Sequence, residues 1–139
     1  MNRLALFTAA FAMSIVFFAS CSQSELNTIS ISEATSIIPG NYKVNNYDNG
    51  SGNTTAYDNY TFEFQSNGTL IASNGMDAYN GQWTIQTENA VDYDKSVTIT
   101  ITGNADLDAL NHTWFVEELS DVTLYLTDDD TEILQLIKN

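Results

Sequence analysis

The chain has 139 residues, with 18 acidic and four basic side chains and a formal net charge of −14. Nucleic-acid binding depends on Lys and Arg side chains that neutralise phosphates, so this charge argues against a nucleic-acid partner. The single cysteine excludes an intrachain disulfide, and the single histidine excludes a cluster of histidine metal ligands. Aromatic residues make up 12% of the chain and fall in alternating patterns, which argues against a disordered acidic protein.

The first 20 residues have the pattern of a bacterial lipoprotein signal peptide. Arg3 supplies positive charge, an apolar run covers Leu4 to Ala19, and the sequence Phe18-Ala19-Ser20-Cys21 places small residues before the cysteine. The apolar run is shorter than the roughly 20 residues that a membrane-spanning helix needs. We therefore predict cleavage before Cys21 and lipidation of its thiol. An uncleaved anchor and a secretory signal with an incidental cysteine are the alternatives.

Lipidation would place the protein in the cell envelope, anchored to the outer membrane, with the periplasmic and surface faces both open. The mature chain would keep three lysines against all 18 acidic residues, so its surface would not attract an anionic membrane. The lipid on Cys21 would then be the membrane contact. Residues 21–31 have the polar composition of a flexible tether, and residues 32–139 predict one domain.

A short helix opens the predicted domain. Residues 32–38 can form one or two helical turns capped by Ser30 or Ser32, and Pro39-Gly40 ends them. After Gly40, apolar and polar residues alternate in the pattern of half-buried antiparallel strands. A further helical turn is predicted at residues 106–110. We predict eight strands, at residues 42–47, 60–64, 69–73, 82–87, 97–102, 113–119, 122–126 and 131–138.

The connections between these strands carry turn residues. Asn-Gly pairs occur at residues 49–50, 67–68, 74–75 and 80–81. Asn tolerates a left-handed backbone and Gly has no steric penalty for it, so these pairs predict tight hairpin turns. Asp128-Asp129-Asp130 separates the last two strands. Successive hairpins predict an all-β, antiparallel, up-and-down barrel of eight strands, because closure removes the exposed edges.

Three segments combine aromatic residues and turns in a characteristic order: residues 62–69, where Phe62-Glu63-Phe64 precedes Asn67-Gly68, then Gly81-Gln82-Trp83, then residues 114–126. In this order they resemble the lipocalin-like lipoproteins common in Bacteroidota, over nearly all of residues 37–138. The resemblance implies a lipocalin-like barrel. The first strand has Gly40-Asn41-Tyr42 where the family often has Gly-x-Trp, so a buried Tyr42 hydroxyl would need a hydrogen-bond partner.

Aromatic side chains that are predicted to face the barrel interior are the candidate ligand-binding residues. They are Tyr42, Phe62, Phe64, Trp83 and Trp114. An eight-stranded barrel has room for side chains or for one small ligand, so these aromatics either bind a ligand or fill the core. A second group of aromatics lies at strand ends and in loops, where tyrosines near amides either form recognition surfaces or are ordinary strand-end residues. Its members are Tyr47, Tyr57, Tyr60, Tyr79 and Tyr93.

No motif in the sequence predicts catalysis, a metal site or a cofactor. His112 lies at the start of a predicted strand, where a surface or capping role is expected. Carboxylate pairs such as Asp92/Asp94 and Asp106/Asp108 are expected by chance in so acidic a chain. Residues 48–53 and 128–130 offer oxygen donors for calcium but lack the ligand spacing of a calcium loop. We therefore predict that the protein is not an enzyme.

These observations favour a lipid-anchored binding module that takes a small apolar or amphiphilic ligand in or at the mouth of the barrel. The alternative is a structural or interaction protein with a solid barrel, which contacts an envelope protein or a glycan through Tyr- and Asn-rich loops. The interior distinguishes them. A continuous apolar void above roughly 300 Å³ would favour the ligand-binding module, and a filled core would favour the interaction protein that acts through its surface.

Overall fold

The computed structural model describes residues 29–87, 95–128 and 131–139. A helix, α1 (Ile31–Ile37), precedes eight strands, and a 3-10 helix (Ala105–Leu110) lies between the fifth and sixth strands. The strands are β1 (Gly40–Asn49), β2 (Thr61–Phe64), β3 (Thr69–Ser73), β4 (Ala78–Thr87), β5 (Lys95–Ile101), β6 (Thr113–Leu119), β7 (Thr123–Thr127) and β8 (Glu132–Lys138).

The strands form one closed barrel in sequence order, with every neighbouring pair antiparallel. The barrel closes where β8 pairs with β1, from Tyr42 opposite Lys138 to Asn49 opposite Glu132. The predicted fold class is confirmed, and the bounds of β3 and β6 agree with the prediction residue for residue. The predicted helical turn at residues 106–110 is the 3-10 helix, whose first turn is capped by the Asn104 side chain.

The barrel has two different ends. At the first, called the α1 end, lie α1, the β2–β3 and β6–β7 turns and the chain's last residues. At the second, called the loop end, lie residues 50–60, the β3–β4 turn and the 3-10 helix. We call the loop end the mouth of the barrel; the long β1–β2 connection, residues 50–60, lies at this end.

Buried apolar side chains from all eight strands form the core between these ends. One from each strand is Tyr42, Phe62, Leu70, Trp83, Ile99, Trp114, Leu124 and Leu136. The alternation of inward and outward residues shifts once in β1, between Val44 and Asn46. The extra residue of this β-bulge lets Val44 and Tyr47 both contribute to the core although they are three residues apart.

One turn prediction is wrong. Asn80-Gly81 lies inside β4, where Gly81 pairs with Ile101 of β5, whereas Asn74-Gly75, also a predicted turn, does form the β3–β4 turn. A Cβ atom on Gly81 would collide with the Thr100 carbonyl oxygen, so glycine is needed here for the close approach of β5. The same dipeptide therefore has a packing role in a strand and a conformational role in a turn.

The helix begins within the segment that the sequence assigns to the tether. Ser30 is its N-cap, with the hydroxyl accepting a hydrogen bond from the Glu33 amide at 3.2 Å, and Ile29 packs against the core. The domain therefore includes Ile29 and Ser30. Cys21, the predicted signal peptide and residues 22–28 lie outside the described residues. Within the described part of the chain, no helix is long and apolar enough to cross a membrane.

Candidate functional site

Three of the predicted interior aromatics meet near the α1 end. The ring centroids of Tyr42 and Phe64 are 5.4 Å apart, and those of Phe64 and Trp83 are 5.8 Å apart. Both contacts are edge-to-face, the geometry that aromatic pairs prefer. All three side chains are at most 3% exposed. They form a continuous aromatic floor beneath α1.

The polar atoms of this floor are bonded to neighbouring backbone. The Tyr42 hydroxyl donates to the Ile38 carbonyl at 2.8 Å, and the Trp83 indole donates to the Gln65 carbonyl at 2.9 Å. The predicted need of Tyr42 for a partner is thus met at the end of α1. Burial, and secondarily the charge of Asp121, raises the pKa of Tyr42 to about 12. These contacts attach α1 and the β2–β3 turn to the barrel.

Trp114 has the equivalent role for the 3-10 helix. Its side chain is fully buried, and its indole donates a hydrogen bond to the Leu110 carbonyl at 3.1 Å. Leu107 and Leu110 on the same helix are also buried. Trp114 therefore holds the buried leucines of the 3-10 helix against the barrel. It is not part of the aromatic floor.

The remaining predicted residue, Phe62, belongs to a second group of aromatics at the loop end. Ring centroids are separated by 6.2 Å between Phe62 and Tyr60, by 6.4 Å between Tyr60 and Tyr57, and by 5.0 Å between Tyr57 and Tyr47. We call Tyr47, Tyr57 and Tyr60 the tyrosine cluster. Its members are 3%, 3% and 8% exposed, so the cluster is core, and of the two alternatives for these tyrosines a recognition surface is excluded.

Hydrogen bonds join the tyrosine cluster to the 3-10 helix. The Tyr57 hydroxyl donates to the Asp106 carbonyl at 3.0 Å, and the Asn104 amide donates to the Tyr60 hydroxyl at 2.9 Å. Burial is the main cause, and the charge of Glu132 the second, that raises the pKa of Tyr47 to about 12. The Tyr47 hydroxyl is therefore protonated near neutral pH. Loop 50–60 and the 3-10 helix are therefore linked across the mouth.

At the loop end, Tyr79 and Asn104 are partly exposed, and Asn104 bonds to the nearly buried Tyr60 beside it; we call these three residues the rim. Tyr79 is half-buried and packs against the core, and its ring faces Gly103 at the start of the β5–β6 connection. Gly103 has a φ of 91° and carries no side chain, so no side chain from this position covers the Tyr79 ring. The rim combines aromatic surface with an amide and hydroxyls, which suits an amphiphilic molecule.

Charge is distributed unevenly between the two ends. The described lysines, Lys43, Lys95 and Lys138, all lie in the halves of their strands nearer the α1 end. The described carboxylates of the loop end are Asp48, Asp58, Asp77, Asp106, Asp108, Asp128 and Glu132. A molecule approaching the rim therefore meets negative potential, which disfavours an anionic head group.

Two of the grooves that the described residues form lie on the outer wall of the barrel. One, of about 290 Å³, is lined by Asn80, Gly81, Gln82, Thr100 and Thr102. The other, of about 230 Å³, lies between α1 and β4 and is lined by Thr35, Ser66, Gly68, Trp83, Thr84 and Ile85. Of the five predicted interior residues, Trp83 alone lines either groove. The prediction that these five residues bind a ligand stays a prediction.

Other residues considered from the sequence have structural partners. The Asp48 carboxylate accepts hydrogen bonds from the amides of Gly50 and Gly52, which closes the loop considered for calcium. The imidazole of His112 is exposed and packs edge-to-face against Trp114. The described residues contain no group of three or more His, Cys, Asp or Glu side chains placed to hold a metal. Tyr93, Asp92, Asp94, Asp129 and Asp130 lie outside the described residues.

A closed antiparallel eight-stranded barrel preceded by a short helix is a lipocalin-like fold. A lipocalin-like protein from Bacteroides uniformis ATCC 8492 is similar in structure, with a TM-score of 0.52 and 18% identity over 73% of this chain and 97% of its own. An uncharacterized protein from Bacteroides eggerthii DSM 20697 has a TM-score of 0.49 and 16% identity over 73% of this chain and 98% of its own. No family model matches the sequence, and neither does any curated protein.

Proposed function

We propose that this protein is a lipid-anchored, non-enzymatic binding module of the cell envelope that holds a small amphiphilic ligand at the mouth of its barrel. The observation that carries the proposal is the rim of Tyr60, Tyr79 and Asn104, where a lipocalin-like barrel presents aromatic surface beside polar groups. The ligand rests on this rim, because the aromatic floor and the buried side chains of Tyr47 and Tyr57 occupy the interior below it.

Charge narrows the class of ligand. The loop end carries seven described carboxylates and none of the described lysines. A fatty-acid carboxylate would be repelled by this field, whereas a neutral or cationic head group would not. The favoured ligand is therefore an uncharged or cationic amphiphile with a short apolar part.

The test uses the chain without its first 21 residues and Nile red, a neutral dye that fluoresces in apolar surroundings. Tyr79→Ala should weaken dye binding by about tenfold or more, because losing an aromatic contact costs roughly 1.5–3 kcal/mol. Tyr125→Ala removes a half-buried tyrosine from the outer wall and should change dye binding less than about twofold. A neutral monoacylglycerol should displace the dye better than a fatty acid, and the difference should shrink in high salt.

A second candidate function is an interaction lipoprotein with a solid barrel. The bonded hydroxyl of Tyr42 and the bonded indoles of Trp83 and Trp114 favour it, since a core whose polar atoms are satisfied internally offers a ligand few contacts. Native mass spectrometry of the domain purified from cells separates the two functions. A co-purifying small molecule supports the first, and its repeated absence together with no dye binding would leave the second.

The anchor has its own test. Lipid on Cys21 would attach the protein to the outer membrane, and Cys21→Ser should release it into the soluble fraction while Ser22→Ala, next to it, stays membrane-bound. Release of the unmodified chain would instead indicate cleavage without lipid. Membrane retention of Cys21→Ser would indicate an uncleaved anchor. Protease treatment of intact cells then distinguishes the surface face from the periplasmic face.

A further inference from the structure

One wall of the barrel is polar but uncharged. The outward side chains of β4 and β5 alternate with core residues, and those from Asn80 to Thr84 and from Thr98 to Thr102 include no ionisable group. In a chain of which 16% is charged, this stretch differs from the rest of the surface. We call it the amide–hydroxyl wall, and it consists of Asn80, Gln82, Thr84, Thr98, Thr100 and Thr102.

A groove of about 290 Å³ runs across this wall, and backbone forms its floor at Gly81. The strands approach so closely here that no side chain larger than hydrogen fits at Gly81. Two further contacts fix the surroundings. The Thr102 hydroxyl donates to the Asn80 carbonyl at 3.2 Å, and the hydroxyls of Thr98 and Thr113 are 3.0 Å apart. The groove is therefore built mainly on paired strands, with Thr102 at the first position after β5.

The side chains beside the groove have hydrogen-bonding capacity to spare. Asn80, Gln82 and Thr100 are exposed, and within the described residues their side chains make no hydrogen bond to the protein. Amide and hydroxyl groups each both donate and accept. The hydroxyls of a sugar have the same dual character, and threonine methyl groups offer apolar contact to the C–H bonds of a sugar ring.

Charge and composition distinguish a glycan from other partners. Protein interfaces are enriched in aromatic residues, Met and Arg, and the amide–hydroxyl wall contains none of these. The formal charge of −14 repels an acidic polysaccharide, and the wall itself has no carboxylate to pair with a cationic one, which favours a neutral partner. We propose that the amide–hydroxyl wall binds a neutral glycan chain laid across the groove above Gly81.

This site lies on the outer wall and does not depend on a ligand at the rim. The test titrates the isotopically labelled domain with neutral oligosaccharides of glucose, of xylose and of N-acetylglucosamine and follows the backbone amide signals. The expected result is saturable shifts at Asn80 to Gln82 and Thr100 to Thr102 with at least one of these sugars. The signals of Tyr57 and Tyr60 at the loop end should not move.

Matched lysine variants then test the location. Thr100→Lys places a long charged side chain in the groove and should weaken glycan binding by about tenfold or more. Asn41→Lys makes the same change of charge at an exposed outward position on β1, across the barrel, and should leave affinity within about twofold. The proposal is overturned if no neutral oligosaccharide gives saturable shifts, if the shifts map elsewhere, or if both variants weaken binding equally.

Discussion

Removal of one hydroxyl group, by Tyr42→Phe, should measurably destabilise the domain. The Tyr42 side chain is fully buried, and its hydroxyl donates to the Ile38 carbonyl at 2.8 Å. The substitution deletes this bond and leaves a carbonyl without its partner, which costs about 1–3 kcal/mol. The contacts of the ring with Phe64 and with the Lys138 ammonium, 5.4 Å from the ring centroid, are kept because phenylalanine retains the ring.

Urea unfolding of the chain without its first 21 residues measures this cost. With a denaturant slope near 2 kcal/mol per molar, a loss of about 2 kcal/mol lowers the urea midpoint by about 1 M. Tyr125→Phe is the matched control, since Tyr125 is half-buried on the outer wall and its hydroxyl has no hydrogen bond within the described residues. Hydrogen exchange should also accelerate in residues 31–38. Equal and small effects of both substitutions, below about 0.5 kcal/mol, would refute the assignment of Tyr42 as the attachment of α1.

Three further predictions concern Trp83, Gly81 and the ionisation of Tyr42. Trp83→Phe removes the indole bond to the Gln65 carbonyl and should cost about 1–3 kcal/mol in urea unfolding, with faster exchange confined to residues 65–68. Gly81→Ala forces a methyl group against the Thr100 carbonyl and should cost at least about 2 kcal/mol by thermal unfolding, and a neutral effect would contradict the close strand approach. The pKa of Tyr42 is about 10 in the unfolded chain and about 12 in the folded domain. The free energy of unfolding should therefore fall as the pH rises from 10 to 12, by about 2 kcal/mol for Tyr42 after allowance for screening. The fall should be smaller in Tyr42→Phe.

The strand order could be predicted because local sequence patterns determine it. Strict alternation of apolar and polar residues from Val97 to Thr102 indicates a strand with one buried face. Asn67-Gly68, which lies between two alternating segments, predicts a hairpin. Closure then follows from the meander. Even the need of Tyr42 for a partner was predictable, since a phenol buried in a barrel base has to bond to something.

Other features depend on contacts that no local pattern reports. The β-bulge at Asn45 shifts Tyr47 into the core. The side-chain amide of Asn45 donates a hydrogen bond to the Gln135 side chain, which is 90 residues away in the sequence. Tyr57 and Tyr60 are buried because loop 50–60 crosses the mouth and bonds to Asp106 and Asn104. From sequence these tyrosines resemble surface residues, since their polar neighbours give no sign of that crossing. Asn80-Gly81 has the residues of a turn, and only the proximity of Thr100 shows why glycine is needed in a strand.

The pairing of β1 with β8 makes the last residues of the chain as important for folding as the first ones of the domain. Lys138 donates a hydrogen bond to the Ile37 carbonyl, 101 residues earlier, and the Asn139 amide donates to Asn41. Contacts of such sequence separation form late and slow the folding of β proteins. Until β8 is available, β1 and β7 are both open edges that can pair with other chains. A partly synthesised or truncated chain is thus exposed to aggregation, and the final strand ends that exposure.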